Sequence, residues 1–179
     1  MGDFFRLNLF DLSLSLYFCT TEVKSTLQKY EDGQWRDDPP SGIVYGGEVL
    51  YVKGDETIEA AAAQDGCRIV LFYDAKNKKA AIAHLDRMTD EDQYTDLIKP
   101  INKKRFNSEA TIVYLCGDEG TDEYSAWNDE IETYISQMGF NVKRISQGRG
   151  KDVFVNPGRN EIKISDSKGN ILCAGVVVT

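Results

Sequence analysis

One stretch of the sequence, residues 60–86, constrains the fold more than any other. It reads AAAAQDGCRIVLFYDAKNKKAAIAHLD and contains two apolar runs, 68–73 and 80–85, on either side of the polar turn 74–79. The β-branched and aromatic residues of the first run favour a strand, and a short polar turn between two such runs indicates a hairpin. We therefore expect two adjacent antiparallel strands at the centre of the fold.

The open end of this hairpin carries the two residues whose side chains could take part in a reaction. Cys67 follows Gly66 and precedes the first strand, while His84, the only histidine of the chain, lies near the end of the second. Because a hairpin brings the start of one strand beside the end of the other, we expect the two side chains to lie close together. A thiol beside an imidazole is the minimum set for a thiolate nucleophile with its base. Gly66 would supply the backbone freedom of the turn that presents the cysteine.

A purely structural interpretation stays open at this point. A free cysteine is usually a small buried hydrophobe, and a lone histidine on an apolar strand is more often structural than catalytic. The alternation of residues 80–85 places His84 on one face with Ala80 and Ile82, where small neighbours leave room for a substrate. The other three cysteines, at positions 19, 116 and 173, have no second histidine to pair with.

The remaining sequence predicts more strands than helices. The expected strands are 12–18, 47–53, 110–116, 140–146, the hairpin 153–164, and 171–178. Helices are expected at 89–103, where Pro100 should end or kink the helix, and at 123–138, which Gly139 should terminate. Residues 29–42 indicate a surface loop, and residues 57–63 are compatible with either a helix or a strand. The predicted class is α+β, with mostly antiparallel mixed sheets at the centre and helices outside.

Length and composition limit the organisation and the partners. A chain of 179 residues is of a size that forms one domain. Because the loop at 29–42 is rich in charge and turn formers, we expect it to lie between the main fold at 47–179 and an N-terminal extension within 1–46, which would be either a strand pair at a sheet edge or a partner-binding arm. A net charge of −8 argues against nucleic acid as a partner. Four scattered cysteines argue against zinc and disulfides. The chain shows neither a membrane-spanning run nor a secretory signal, so we expect a cytoplasmic protein with no membrane partner and no cofactor.

The order of these features resembles a known group of enzymes. A Gly-Cys at a strand start, a strand ending in Tyr-Asp, a Lys/Asn-rich turn and a strand ending in Ala-His are similar to the chemotaxis-receptor glutamine deamidases. They look equally like the N-terminal asparagine amidohydrolases, in which a cysteine and a histidine are separated by the same interval. The later strand, helix, strand and hairpin, with a Gly-Arg step at 148–149, extend the resemblance over residues 47–165. It implies a deamidase-like sandwich, shared with deamidating bacterial toxins of the cytotoxic-necrotising-factor type.

The resemblance also implies a reaction. Cys67 would attack a side-chain carboxamide, and His84 would act first as base and then as acid for the departing ammonia. Backbone N–H groups around Gly66 and Cys67 would hold the oxyanion, and water would hydrolyse the thioester to leave Glu from Gln or Asp from Asn. The implied partner is a protein that presents a Gln or Asn side chain. By the same analogy, the chain would be a bacterial effector or toxin that acts in a host cytosol.

Two departures from the family pattern define the alternatives. The deamidases place a Thr six residues before the cysteine to support the histidine, where this chain has Ala61, so Thr57 or Gln64 would have to substitute. Residues 65–66 are Asp-Gly rather than Gly-Ser. One alternative is a thiol peptidase or transglutaminase on the same dyad, for which Asp86 lies too close in sequence to orient the histidine. The other is a non-catalytic interaction module that has kept the fold, which Ala61 favours.

Overall fold

A computed structural model describes residues 24–61, 66–86, 91–118, 120–146 and 150–176 of the chain. Two helices and twelve strands lie in these ranges, arranged as two mixed, mostly antiparallel sheets, which confirms the predicted α+β class. The strand expected at 12–18, the Gly-Arg step at 148–149 and the last residues of the strand expected at 171–178 lie outside the described residues. The elements in chain order are β1 (Thr26–Glu31), β2 (Gln34–Asp37), β3 (Ile43–Val44), β4 (Glu48–Lys53), β5 (Ile58–Ala60), β6 (Arg68–Asp74), β7 (Lys79–Leu85), α1 (Glu91–Asn102), β8 (Thr111–Cys116), α2 (Asp122–Gln137), β9 (Asn141–Ile145), β10 (Lys151–Asn156), β11 (Glu161–Asp166) and β12 (Ile171–Val176).

The larger sheet has the strand order β2-β1-β4-β7-β6-β8-β9. Its pairs are antiparallel except β8 with β9. The hairpin of β6 and β7 lies at its centre, as the sequence predicts, and every residue of both strands is buried. Burial on both faces explains why the two runs are apolar almost throughout rather than alternating.

The smaller sheet, of order β12-β11-β10-β5-β3, packs on one face of the larger sheet. Leu71 and Ile82 of the larger sheet meet Val153 and Ile164 of the smaller one in a shared apolar core. The opposite face of the larger sheet is covered by α1 and α2 through a second core. The molecule therefore has three layers, with β6 and β7 in the middle layer.

The segment predicted as a surface loop at 29–42 is instead largely a hairpin, and that prediction is wrong. β1 pairs with β2 on one side and with β4 on the other. The turn uses Asp32 and Gly33, both with positive φ angles of 51° and 79°, which is typical of tight hairpin turns. Stacking of Tyr30 on Trp35, with ring centroids 5.4 Å apart, stabilises the pair. The described part of the predicted extension, residues 24–46, thus supplies strands to both sheets.

The ambiguous segment at 57–63 includes a strand, β5, which pairs with β10 and with β3. Both predicted helices are present. Pro100 lies inside α1, in its last turn, and the helix ends two residues later at Asn102. Thr121 caps α2 by accepting a hydrogen bond from the Tyr124 N–H at 3.2 Å, and Gly139 follows with a φ of 89°. Neither of the two described helices combines the length and apolar character needed to cross a membrane.

Candidate active site

The hairpin brings Cys67 and His84 to the same end and the same face of the larger sheet. Ile69 of β6 is the direct partner of His84 on β7, and Cys67 stands two residues before Ile69. Because side chains alternate along a strand, Cys67, Ile69 and His84 share the face turned toward the smaller sheet. Such diagonal neighbours have Cα atoms about 7 Å apart, within reach of a rotated side chain.

The His84 ring is held by a backbone carbonyl. The ring is only 6% exposed, and its Nδ1 lies 3.4 Å from the carbonyl oxygen of Val44. A carbonyl oxygen only accepts hydrogen bonds, so in this contact Nδ1 carries a proton, and in the neutral ring the lone pair is then on Nε2. Nε2 is buried and has no hydrogen-bond partner among the described residues. This is the tautomer that a general base needs, with its accepting atom unoccupied.

The support of His84 comes from the smaller sheet, at a position that the sequence did not indicate. Val44 lies on β3, which pairs in parallel with β5 so that Val44 faces Ala60. Thr57, predicted as a substitute support, lies three residues before Ala60, and its hydroxyl accepts from the Asn156 amide at 3.2 Å. Neither ring nitrogen of His84 bonds to Thr57. A backbone carbonyl carries no residue-type signature, which is why sequence reasoning missed it.

The turn before Cys67 has the geometry expected of its glycine. Gly66 is buried and has a φ of 107°, in the range that side chains with a Cβ rarely adopt. The predicted alternative support Gln64 lies outside the described residues. Gly66 thus sets the direction in which the chain enters β6 and presents Cys67 at the sheet end.

The Cys67 thiol contacts a carboxylate. Its Sγ lies 3.8 Å from Oδ1 of Asp86, to which it donates a hydrogen bond. A Cβ at Gly46 would collide with the Asp86 carboxylate, so the glycine leaves the space that this carboxylate occupies. Neither ring nitrogen of His84 bonds to Asp86, in agreement with the expectation that Asp86 does not orient the histidine. A carboxylate only accepts hydrogen bonds, so this contact is one that the thiol form of Cys67 makes.

A buried arginine fixes the backbone of Cys67. Arg68 is fully buried, and its Nη1 donates to the Cys67 carbonyl oxygen at 2.9 Å. Its Nη2 donates to the carbonyl oxygens of Asp118 at 2.9 Å and Tyr124 at 3.3 Å, and its Nε donates to the Asn128 side chain. The guanidinium therefore ties the nucleophile candidate to the start of α2. The sequence does carry a signal for this role of Arg68, because it is the single charged residue of the otherwise apolar run RIVLFY.

The same end of the sheet holds a second buried cation and a second thiol. Lys151 of β10 is fully buried and lies 3.0 Å from Oδ1 of Asp118. Cys116 of β8 faces Ile69, and burial raises the pKa of its thiol to about 12, so that it stays neutral. Cys116 is thus an inert neighbour rather than a competing nucleophile. Within the described ranges, no three His, Cys, Asp or Glu side chains are grouped to hold a metal ion.

Comparison with known proteins assigns no function, so the geometry of the site is the basis for the proposal below. A scan against protein-family models finds no matching family, and a search of the curated proteins finds no match.

Proposed function

We propose that this chain is a protein deamidase in which Cys67 is the nucleophile and His84 is the base. One observation carries the proposal. The buried Nε2 of His84, without a hydrogen-bond partner in the described part of the chain, lies on the same sheet face as Cys67 while Nδ1 is held by Val44. The resemblance of residues 47–165 to the Cys-His deamidases supports the choice of reaction.

The first half of the reaction begins with movement of the thiol. The Cys67 side chain rotates away from Asp86 and toward His84. Substrate binding often brings a catalytic hydrogen bond to its full strength in this way. Nε2 accepts the thiol proton, and Sγ attacks the carboxamide carbon to form a tetrahedral intermediate. Backbone N–H groups at the Gly66–Cys67 turn stabilise its oxyanion. The His84 imidazolium then donates its proton to the nitrogen, and ammonia leaves behind a thioester.

The second half of the reaction consumes water. Nε2, again neutral, accepts a proton from a water molecule that attacks the thioester carbon. The carbon–sulfur bond breaks, the His84 imidazolium returns its proton to the departing sulfur, and the free thiol is regenerated while a side-chain carboxylic acid is formed. The net change is a carboxamide and water converted to a carboxylate and ammonium, with no redox step. The proposed partner is accordingly a protein that presents a Gln or Asn side chain, in the cytoplasm of the producing cell or in a host cytosol that the chain enters as an effector.

Two observations favour a second candidate, a non-catalytic interaction module with this fold. The thiol donates to Asp86 rather than to Nε2, and Ala61 stands where the deamidases have a threonine. In that case Cys67 would serve only in packing, and its replacement by Ser would leave partner binding unchanged. The deamidase proposal predicts instead that this replacement abolishes turnover.

The test is ammonia release from a mixture of Gln- and Asn-containing peptides, combined with intact-mass analysis. The wild type should release ammonia and convert a carboxamide to a carboxylate, and Cys67→Ser and His84→Gln should not. Cys173→Ser, at a partly buried thiol on β12, is the matched control and should keep activity. If ammonia release persists in Cys67→Ser, or if no peptide reacts and alkylation at neutral pH does not favour Cys67, the proposal is wrong.

A further inference from the structure

The peptide bond that supports His84 is itself engaged on its other side. The carbonyl of Val44 accepts from His84 Nδ1 at 3.4 Å, and the N–H of Tyr45 donates to Oε2 of Glu48 at 3.1 Å. These two groups belong to one planar peptide unit. The carboxylate of Glu48 and the ring of His84 are thus connected through a single peptide bond.

Glu48 is in turn held from the N-terminal hairpin. Its Oε1 accepts a hydrogen bond from Nζ of Lys29 on β1 at 2.6 Å, and both side chains are about three-quarters buried, with exposed fractions of 24% and 26%. The hydrogen bond to Glu48 raises the pKa of Lys29, which keeps the ammonium charged. Glu48 is also the direct cross-strand partner of His84 in the pairing of β4 with β7. The carboxylate is therefore fixed on the sheet face that carries the histidine.

We propose that Glu48 is a positioning residue for His84, acting through the Val44–Tyr45 peptide bond, and that Lys29 holds Glu48 in place. A carboxylate that accepts from a peptide N–H polarises the peptide, which makes its carbonyl a stronger acceptor. The stronger acceptor holds the His84 proton on Nδ1, so that the lone pair of Nε2 is available to take up the thiol proton. The effect of Glu48 on catalysis rests on the proposed function, whereas its effect on the position of the proton in the His84 ring does not.

The experiment uses the fact that the chain has one histidine, so its ring signals in proton–nitrogen NMR are assigned without ambiguity. Glu48→Gln keeps the length of the side chain and an oxygen for the Tyr45 N–H but removes the charge. In the wild type, the neutral ring should carry its proton on Nδ1. In Glu48→Gln, the ratio of the Nδ1–H to the Nε2–H form should fall about threefold, the effect of losing part of one hydrogen bond's net contribution.

Glu31→Gln is the matched control, because Glu31 contacts the same lysine at 3.9 Å but lies on the exposed hairpin. It should leave the tautomer ratio unchanged. An unchanged ratio in Glu48→Gln would overturn the inference. A wild-type ring with its proton on Nε2 would overturn it as well, whether or not the variant folds. Ammonia release by the wild type separates the two proposals, since it tests the reaction and not the role of Glu48.

Discussion

Replacing Asp86 by Asn should make Cys67 more reactive, because the negative charge that accepts a hydrogen bond from its thiol would be removed. Two unit charges about 4 Å apart interact with about 1 kcal/mol in water and about 4 kcal/mol at an intermediate dielectric. Asp86 is exposed, so the lower figure applies, which corresponds to about a fivefold larger thiolate fraction at fixed pH. Since a more acidic thiol is also a weaker nucleophile, about half of this gain is offset on a logarithmic scale. The net increase should be about two- to threefold.

The assay is the second-order rate of iodoacetamide alkylation at pH 7, with modification at Cys67 followed by peptide mapping. Asp32→Asn is the matched control, because this residue lies in the β1–β2 turn at a φ that Asn tolerates. Raising the salt concentration should narrow the difference between Asp86→Asn and wild type, because screening weakens an exposed charge. An unchanged or slower rate in Asp86→Asn would show that the carboxylate does not restrain the thiol and would refute this part of the reasoning.

Two further predictions concern the surroundings of Cys67. Arg68→Met should lower the free energy of unfolding by about 3 kcal/mol or more in urea titration, because three backbone carbonyls lose a buried charged donor. A loss below about 1 kcal/mol would contradict the role of Arg68 in fixing the backbone of Cys67. Cys116 should stay unmodified by iodoacetamide at pH 8 to 9 in the folded protein, since burial raises the pKa of its thiol to about 12 and it is neutral below that pH. Alkylation of Cys116 in the folded protein at the rate of an exposed thiol would show that this thiol is accessible to the reagent and would contradict the prediction.

The central hairpin and the placement of Cys67 and His84 on one face of it could be predicted, because both depend on local pattern. Two apolar runs joined by a short polar turn pair with each other in a register that the turn determines. Once that register is given, alternation along the strands places Cys67 and His84 on one face. The unusual φ of Gly66 follows from its position between a turn and a strand. None of these inferences needs a contact between distant parts of the chain.

The support of His84 could not be predicted, because each part of it depends on distant pairing. Val44 acts through its main chain, and its position follows from the parallel pairing of two very short strands, β3 and β5. Glu48 faces His84 only because β4 pairs with β7 across 36 positions of sequence. Lys29 lies in a segment whose charges and turn formers favoured a loop. In the sequence alone, Lys29 and Glu48 look like ordinary surface charges.

The most direct test of the central claim is the alkylation rate of Cys67 at neutral pH in the wild type and in His84→Gln. If His84 is the base of Cys67, the wild type should be labelled at Cys67 before Cys116 and Cys173. When Cys67 turns from Asp86 toward His84, transfer of its proton to Nε2 forms an imidazolium that favours the thiolate by about tenfold or more, and weaker nucleophilicity offsets part of that gain. Labelling should therefore slow about threefold or more in His84→Gln. Equal rates of Cys67 alkylation in the two proteins would contradict the account.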